Sequence, residues 1–141
     1  MPNVDIDNVY MSIATEIARL SYAERKKVGA VLVKDGSIIS HGYNGTPHGF
    51  DNSCEYEDPD HRNILVTRQE VLHAESNAIS KVAKSTNSSE GSTLYVTLSP
   101  CFECSKLIIQ AGIKKVVYKE MYRHTDGINL LLKAGIPCVK S

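Results

Sequence analysis

The sequence predicts an α/β sandwich around a five-stranded mixed sheet, and three observations predict it. Two β-rich runs, 28–34 and 38–42, flank Asp35 and Gly36, and Asp-Gly between apolar runs is a strong hairpin signal. Beyond residue 73, segments of helical period alternate with short runs rich in Val, Ile, Leu and Thr, the pattern of strands joined by helical crossovers. Gly112 and Gly135 each follow such a helical segment, where helices commonly stop.

Taken in order, residues 5–20 read as an opening helix. Asp5 or Asp7 can cap it, and Val9, Ile13, Ile17 and Leu20 recur at helical spacing. After the hairpin, the chain from Tyr43 to about Arg62 turns to Gly, Pro, Asn, Asp and His with little periodicity. A loop that long in a small domain is usually functional or disordered, so it is a candidate ligand-binding or regulatory loop. Residues 63–72 are apolar, but their pattern does not choose between helix and strand. A helix is expected over 73–84 with Ala78, Ile79, Val82 and Ala83 as its buried stripe, ended by the polar stretch 85–91. There follow a strand over 93–98, a helix over 100–111 with Pro100 at its first position, and a strand over 115–119. A helix over 126–134 and a last strand over 136–139 complete the order α-β-β-α-β-α-β-α-β.

At 141 residues, 42% hydrophobic and 23% charged, the whole chain, 1–141, is expected to form one domain around one core. Sixteen basic residues balance sixteen acidic ones, so no global field draws the chain to a phosphate polymer. A small-molecule substrate is favoured, with no nucleic acid and no membrane as partner. The N-terminus has neither the basic region nor the apolar stretch of a signal peptide, no apolar run approaches a membrane span, and the expected location is cytoplasmic. Cysteines at 54, 101, 104 and 138 are too few and too unevenly spaced for a disulfide framework.

Two of those cysteines belong to the most informative feature of the chain. His73, Ala74 and Glu75 spell H-x-E, and Pro100, Cys101, Phe102, Glu103 and Cys104 spell P-C-x-x-C. Proline suits the first turn of a helix, so both cysteines are expected in the first turns of one helix, on one face, where the positive dipole end favours thiolate. In mid-helix, residues two apart diverge by about 200°. His73 and Glu75 are therefore expected at a helix start, where both can face one pocket. Three protein ligands on a tetrahedral zinc leave one position for water, whose pKa then falls to about 7. Glu75 is left over as the acid/base, which a redox C-x-x-C or a closed structural zinc site would not require.

This pairing resembles the signature of the zinc-dependent nucleobase deaminases. GYNG at 42–45, HAESNAI at 73–79, TLYVTLSPCFEC at 93–104 and KLIIQAGIKKVVY at 106–118 narrow the resemblance to the deoxycytidylate deaminases of the cytidine and deoxycytidylate deaminase family. It runs from about Val28 to the C-terminal strand. The resemblance implies a three-layer α-β-α sandwich of the cytidine deaminase type. It also implies hydrolytic deamination of dCMP to dUMP and ammonia, supplying dUMP for thymidylate synthesis. His73, Cys101 and Cys104 are then the ligands of one catalytic Zn²⁺, and Glu75 carries protons from water to ring N3 and assists departure of ammonia. Asn44 and Tyr122 fall where relatives contact substrate. The resemblance further implies a homo-hexamer activated by dCTP and inhibited by dTTP with Mg²⁺. The effector site would include Lys27, Gly42, Tyr43, Asn44 and Gly45, the glycines letting backbone N–H groups approach phosphate.

On the residues alone, GYNG also reads as a plain strand exit, and the basic triplet Arg25, Lys26 and Lys27 as a solvated face. Some phage-type members carry a second, structural zinc, but the corresponding positions here are Ala23, Ser53 and Val71, so one zinc per chain is expected. His48, Cys54 and His61 read as loop residues rather than as another metal site, and His124 as a residue near the last helix. His41 is unusual for the family. The rival readings are another zinc deaminase, acting on tRNA adenosine or free cytosine, and a non-catalytic zinc module that senses nucleotides. Zero net charge and GYNG both speak against the tRNA enzyme.

Overall fold

Alternate side chains along each central strand bury in opposite directions, which requires a covered sheet on both faces. The computed structural model, which describes residues 5–141, contains that sheet; the reading of residues 1–4 as lacking a leader lies outside the described residues. It is built from β1 (Gly29–Lys34), β2 (Ser37–Tyr43), β5 (Thr93–Leu98), β6 (Lys115–Glu120) and β7 (Cys138–Lys140) in the order β2-β1-β5-β6-β7. β1 runs antiparallel to β2 and β5, whereas β5, β6 and β7 are parallel. The expected mixed sheet is therefore present. Its opening hairpin turns on Asp35 and Gly36 with φ of 51° and 77°, the pair of positive values that a two-residue type I′ turn demands.

On one face, Met11 and Ala14 of α1 (Ile6–Ala18) pack with Val31, Val33, Tyr95 and Val117. On the other, Ala30, Leu32, Leu94, Val96 and Val116 meet three helices. These are α2 (Ala74–Ala83), α3 (Phe102–Gln110) and α4 (Asp126–Lys133), contributing Ala78 and Val82, Ile108, and Ile128 and Leu131 respectively. The parallel strands need crossovers of one hand, which sets α3 and α4 on the same face. Asp5 caps α1, accepting from the N–H groups of Asp7 and Asn8. Among the described residues no helix is long and apolar enough to cross a membrane.

Three expectations need correction. The stretch from Tyr43 to Arg62 is not all loop, and of residues 63–72, whose pattern left helix and strand open, the first five belong to a strand. β3 (Glu55–Asp58) and β4 (His61–Thr67) pair antiparallel as a separate two-stranded sheet. Most of their side chains remain exposed, so no apolar alternation marks them in the sequence. In α1, Val9 is exposed and the buried face is Met11, Ala14 and Ala18, with Ile13 and Ile17 beside it, while Leu20 lies exposed beyond the end of the helix. The face is shifted because α1 lies directly on Gly29: a Cβ there would stand 2.1 Å from the Ala14 carbonyl oxygen, and only small residues fit such a contact. In α2, Ala83 is exposed, and Ala74 and Glu75 join Ala78 and Val82 inside.

Candidate metal centre and active site

The chemistry-bearing residues stand at two helix starts beside the sheet. His73 is the N-cap of α2 with extended backbone (φ −77°, ψ 158°), which removes the mid-helix divergence and leaves Glu75 in the first turn. Cys101 is the N-cap of α3, and its Sγ accepts the Cys104 N–H at 3.5 Å. Pro100 therefore precedes the cap instead of opening the helix. It is fully buried, so it fixes the approach of the chain to Cys101.

His73 Nδ1 lies 3.3 Å from Cys104 Sγ and 3.5 Å from Cys101 Sγ, and all three ligand atoms fall within 4.8 Å of one another. A tetrahedral zinc with Zn–N near 2.0–2.1 Å and Zn–S near 2.3 Å sets nitrogen and sulfur about 3.6 Å apart. The donor set fits that metal. Among the described residues this is the one group of three or more potential ligand side chains that converges.

Burial pushes the Glu75 carboxyl up to about 7, the range in which a group both takes and gives protons near neutrality. A hydrogen bond from the Cys104 thiol, with help from His73, pulls Cys101 down to about 4. The same bond, with burial, pushes Cys104 up. The hydrogen bond to Cys101 raises His73.

His73, Glu75 and Cys101 line a cavity of about 440 Å³, within the usual range for small-molecule sites. It lies beyond the carboxyl end of β5, where chain order reverses across the sheet, the usual position of ligand sites in open α/β sheets. Asn44 and Tyr122 line it too. The Asn44 amide is engaged on both sides, accepting from Val28 N–H at 2.9 Å and donating to Lys26 O at 2.8 Å. The Tyr122 N–H donates to Ser99 Oγ at 2.6 Å. His124 stacks edge-on against Tyr122 ahead of α4.

The cavity also contains residues that the sequence reading missed or placed elsewhere: Arg25, Lys26, Glu55, Ser99, Glu120 and Arg123. Arg25 and Lys26 were visible as a basic run, but nothing local indicated which site they face. Glu55 accepts from the N–H groups of Glu24 and Arg25 and so holds that run in place. Lys26 pairs with Glu120 at 2.6 Å. Arg123 carries no motif at all and arrives through the turn after β6.

Of the five residues assigned to an effector site, Gly42, Tyr43, Asn44 and Gly45 are consecutive at the end of β2, and Lys27 stands apart from them. Asn44 is in the catalytic cavity, whereas Lys27 lines a separate surface depression with Arg19, Tyr22 and Glu24. Gly42 is buried beneath α2. Tyr43 has its carbonyl bonded to the Asn77 amide and its ring 5.8 Å from Lys81 Nζ. The N–H groups of Asn44 and Gly45 donate to Val28 O and Leu72 O, so within the chain both are already engaged.

An α/β sandwich presenting His, two Cys and a buried Glu from two helix starts defines a zinc-dependent deaminase domain. Residues 4–120 match the cytidine and deoxycytidylate deaminase zinc-binding region, and the chain belongs to that family. The deoxycytidylate deaminase of Enterobacteria phage T4 is 39% identical, the match covering 89% of this chain and 86% of that protein. The deoxycytidylate deaminase of Mycobacterium phage D29 is also 39% identical, over 84% of this chain and 97% of its own. Among solved structures, the dCMP deaminase of cyanophage S-TIM5 in complex with dCMP and dUMP superposes with a TM-score of 0.91 at 48% identity, covering both chains fully.

Proposed function

We propose that this chain, acting as one deaminase domain, converts dCMP and water to dUMP and ammonia. The observation that carries the reading is a buried carboxyl, Glu75, beside the His73, Cys101 and Cys104 cluster in a cavity whose lining also supplies Arg25, Lys26 and Arg123. Support comes from the cyanophage enzyme, whose structure holds dCMP and dUMP.

In this reading His73, Cys101 and Cys104 hold a single Zn²⁺, which when bound lowers the pKa of water to about 7 and makes it a nucleophile at neutral pH. Glu75 would take a proton from the attacking water and pass it to ring N3 as the C4–O bond forms. Glu75 would then take the proton of the new C4 hydroxyl and pass it to the exocyclic nitrogen, so that the C4–N bond breaks, ammonia leaves and a C4 carbonyl remains. Tyr122 packs against the substrate, and the Asn44 amide faces its sugar. Arg25, Lys26 and Arg123 supply positive charge for the 5′-phosphate, Lys26 exchanging its Glu120 partner for it. Ammonia release measured with dCMP, deoxycytidine, cytosine and adenosine-containing RNA tests the substrate, with dCMP expected to dominate. Equal rates with deoxycytidine would remove the role given to the phosphate. Metal content without turnover of any of the four would leave a nucleotide-sensing module.

The regulation is part of the same proposal and rests on the family resemblance. dCTP is expected to turn sigmoidal dCMP kinetics hyperbolic and dTTP with Mg²⁺ to suppress them, in a homo-hexamer. The side chains of Tyr43 and Lys27, not the turn's backbone, are then the groups available to an effector. Kinetics indifferent to both nucleotides would remove the regulation and leave the catalytic reading intact.

A further inference from the structure

We propose that Gly42 and Gly127 are positioning residues of the metal centre, setting the separation of the two helix starts through contacts of backbone on backbone. The inference rests on the reading of His73, Cys101 and Cys104 as metal ligands. Those ligands come from two helices that are far apart in the chain, and a zinc site tolerates deviations of only about 0.2 Å in its bonds. Something must fix the helix starts to that tolerance.

A Cβ added at Gly42 would stand 2.4 Å from the Ala74 carbonyl oxygen and 2.6 Å from Ala78 N. Ala74 lies between His73 and Glu75, so the contact sits under the residues that carry the ligand and the carboxyl. A Cβ added at Gly127 would stand 2.3 Å from Pro100 O, 2.7 Å from Cys101 C and 2.8 Å from Cys101 O. That contact braces the N-cap of α3 from the first turn of α4.

The obstructing atoms are backbone in both cases, so no side-chain rotation relieves the overlap. Neither glycine has a positive φ, so conformational freedom does not explain either one. Gly127 is the more telling, because glycine is a poor helix former and this one lies in a helix. It also gives Gly42 a task unrelated to an effector.

Gly29 provides the internal control. It touches α1 on the opposite face of the sheet in the same manner, with a Cβ 2.1 Å from Ala14 O and 2.6 Å from Ala18 N, but α1 carries no metal ligand. Contact of equal severity is thus present with and without a ligand above it.

The test compares Gly42→Ala, Gly127→Ala and Gly29→Ala in the full chain by thermal unfolding and by titration of metal-free protein with Co²⁺. The cobalt d–d and thiolate charge-transfer bands report ligand geometry independently of turnover. Gly42→Ala and Gly127→Ala are expected to weaken Co²⁺ binding at least tenfold and to shift the d–d bands. Gly29→Ala should lower the melting temperature and leave affinity and spectrum as in the parent. Equal spectral change in all three, or none in the first two, overturns the proposal.

Ile128→Ala keeps the test decisive if Gly127→Ala does not fold. It loosens the packing of α4 in the core and adds no atom against the backbone at Cys101, and it is expected to destabilise without changing the spectrum; a changed spectrum would assign the effect to α4 packing in general. A parent protein that binds no Co²⁺ sinks the ligand reading itself, and the proposal with it. That result is distinct from the variant pattern.

Discussion

Asn44 has two demands on one amide, since it bonds the backbone at Lys26 and Val28 and also lines the catalytic cavity. Asn44→Ala is therefore expected to destabilise the protein even without substrate, by about 1–3 kcal/mol for two hydrogen bonds of roughly 0.5–1.5 kcal/mol each. Chemical denaturation of the ligand-free protein measures it, and an unchanged midpoint would show that the two bonds contribute nothing. Glu75 makes the opposite prediction, because in the proposed reaction its carboxyl carries protons and is not a metal ligand. Glu75→Gln should lower kcat by about 10²–10⁴-fold, the usual contribution of a general acid/base, with zinc content unchanged on elemental analysis. Tyr95 Oη donates to Asp7 Oδ1 at 2.7 Å, and burial together with that bond pushes the phenol up. Tyr95→Phe should cost about 1–2 kcal/mol of stability, in the range of a partly buried hydrogen bond to a charged group, and leave the site untouched.

At the scale of elements, the local signals that survived folding are those whose physics lies within a few residues. Asp35-Gly36 specified its turn because the turn type demands two positive φ values. His73 and Cys101 specified helix starts because a cap and its first turn are neighbours in the chain. The β3–β4 hairpin is not legible in the sequence because its mostly exposed strands give no apolar alternation, and the buried face of α1 follows Ala14 and Ala18 because close contact with Gly29 admits only small residues there, which leaves Val9 outside. That hairpin nevertheless matters to the site, since Glu55 fixes the backbone of Glu24 and Arg25. Glu55→Ala is expected to raise KM for dCMP severalfold with little change in kcat, because the basic run loosens while the ligands and Glu75 stay in place. Steady-state kinetics separate the two, and a fall confined to kcat would contradict that role.

For the whole molecule, a metal that binds only the folded state stabilises it by mass action, and this cluster ties α2 to α3. Chelation is thus expected to lower the melting temperature by several degrees, about 1 kcal/mol being worth roughly 2–8 °C in domains of this size range. Re-addition of Zn²⁺ should restore it, and a melting temperature indifferent to chelator would show that the cluster holds no metal in the folded protein. The amino-acid sequence by itself determined the donor types, the spare carboxyl, the mixed sheet and the family resemblance, because each follows from residue chemistry or from patterns a few positions long. Only the tertiary structure decided that Arg25 and Lys26 face the catalytic cavity while Lys27 lines a separate depression, and that Arg123 joins the first two. Those facts depend on where distant backbones touch, as at Gly42 with Ala74 and at Gly127 with Cys101, and sequence spacing does not encode such contacts.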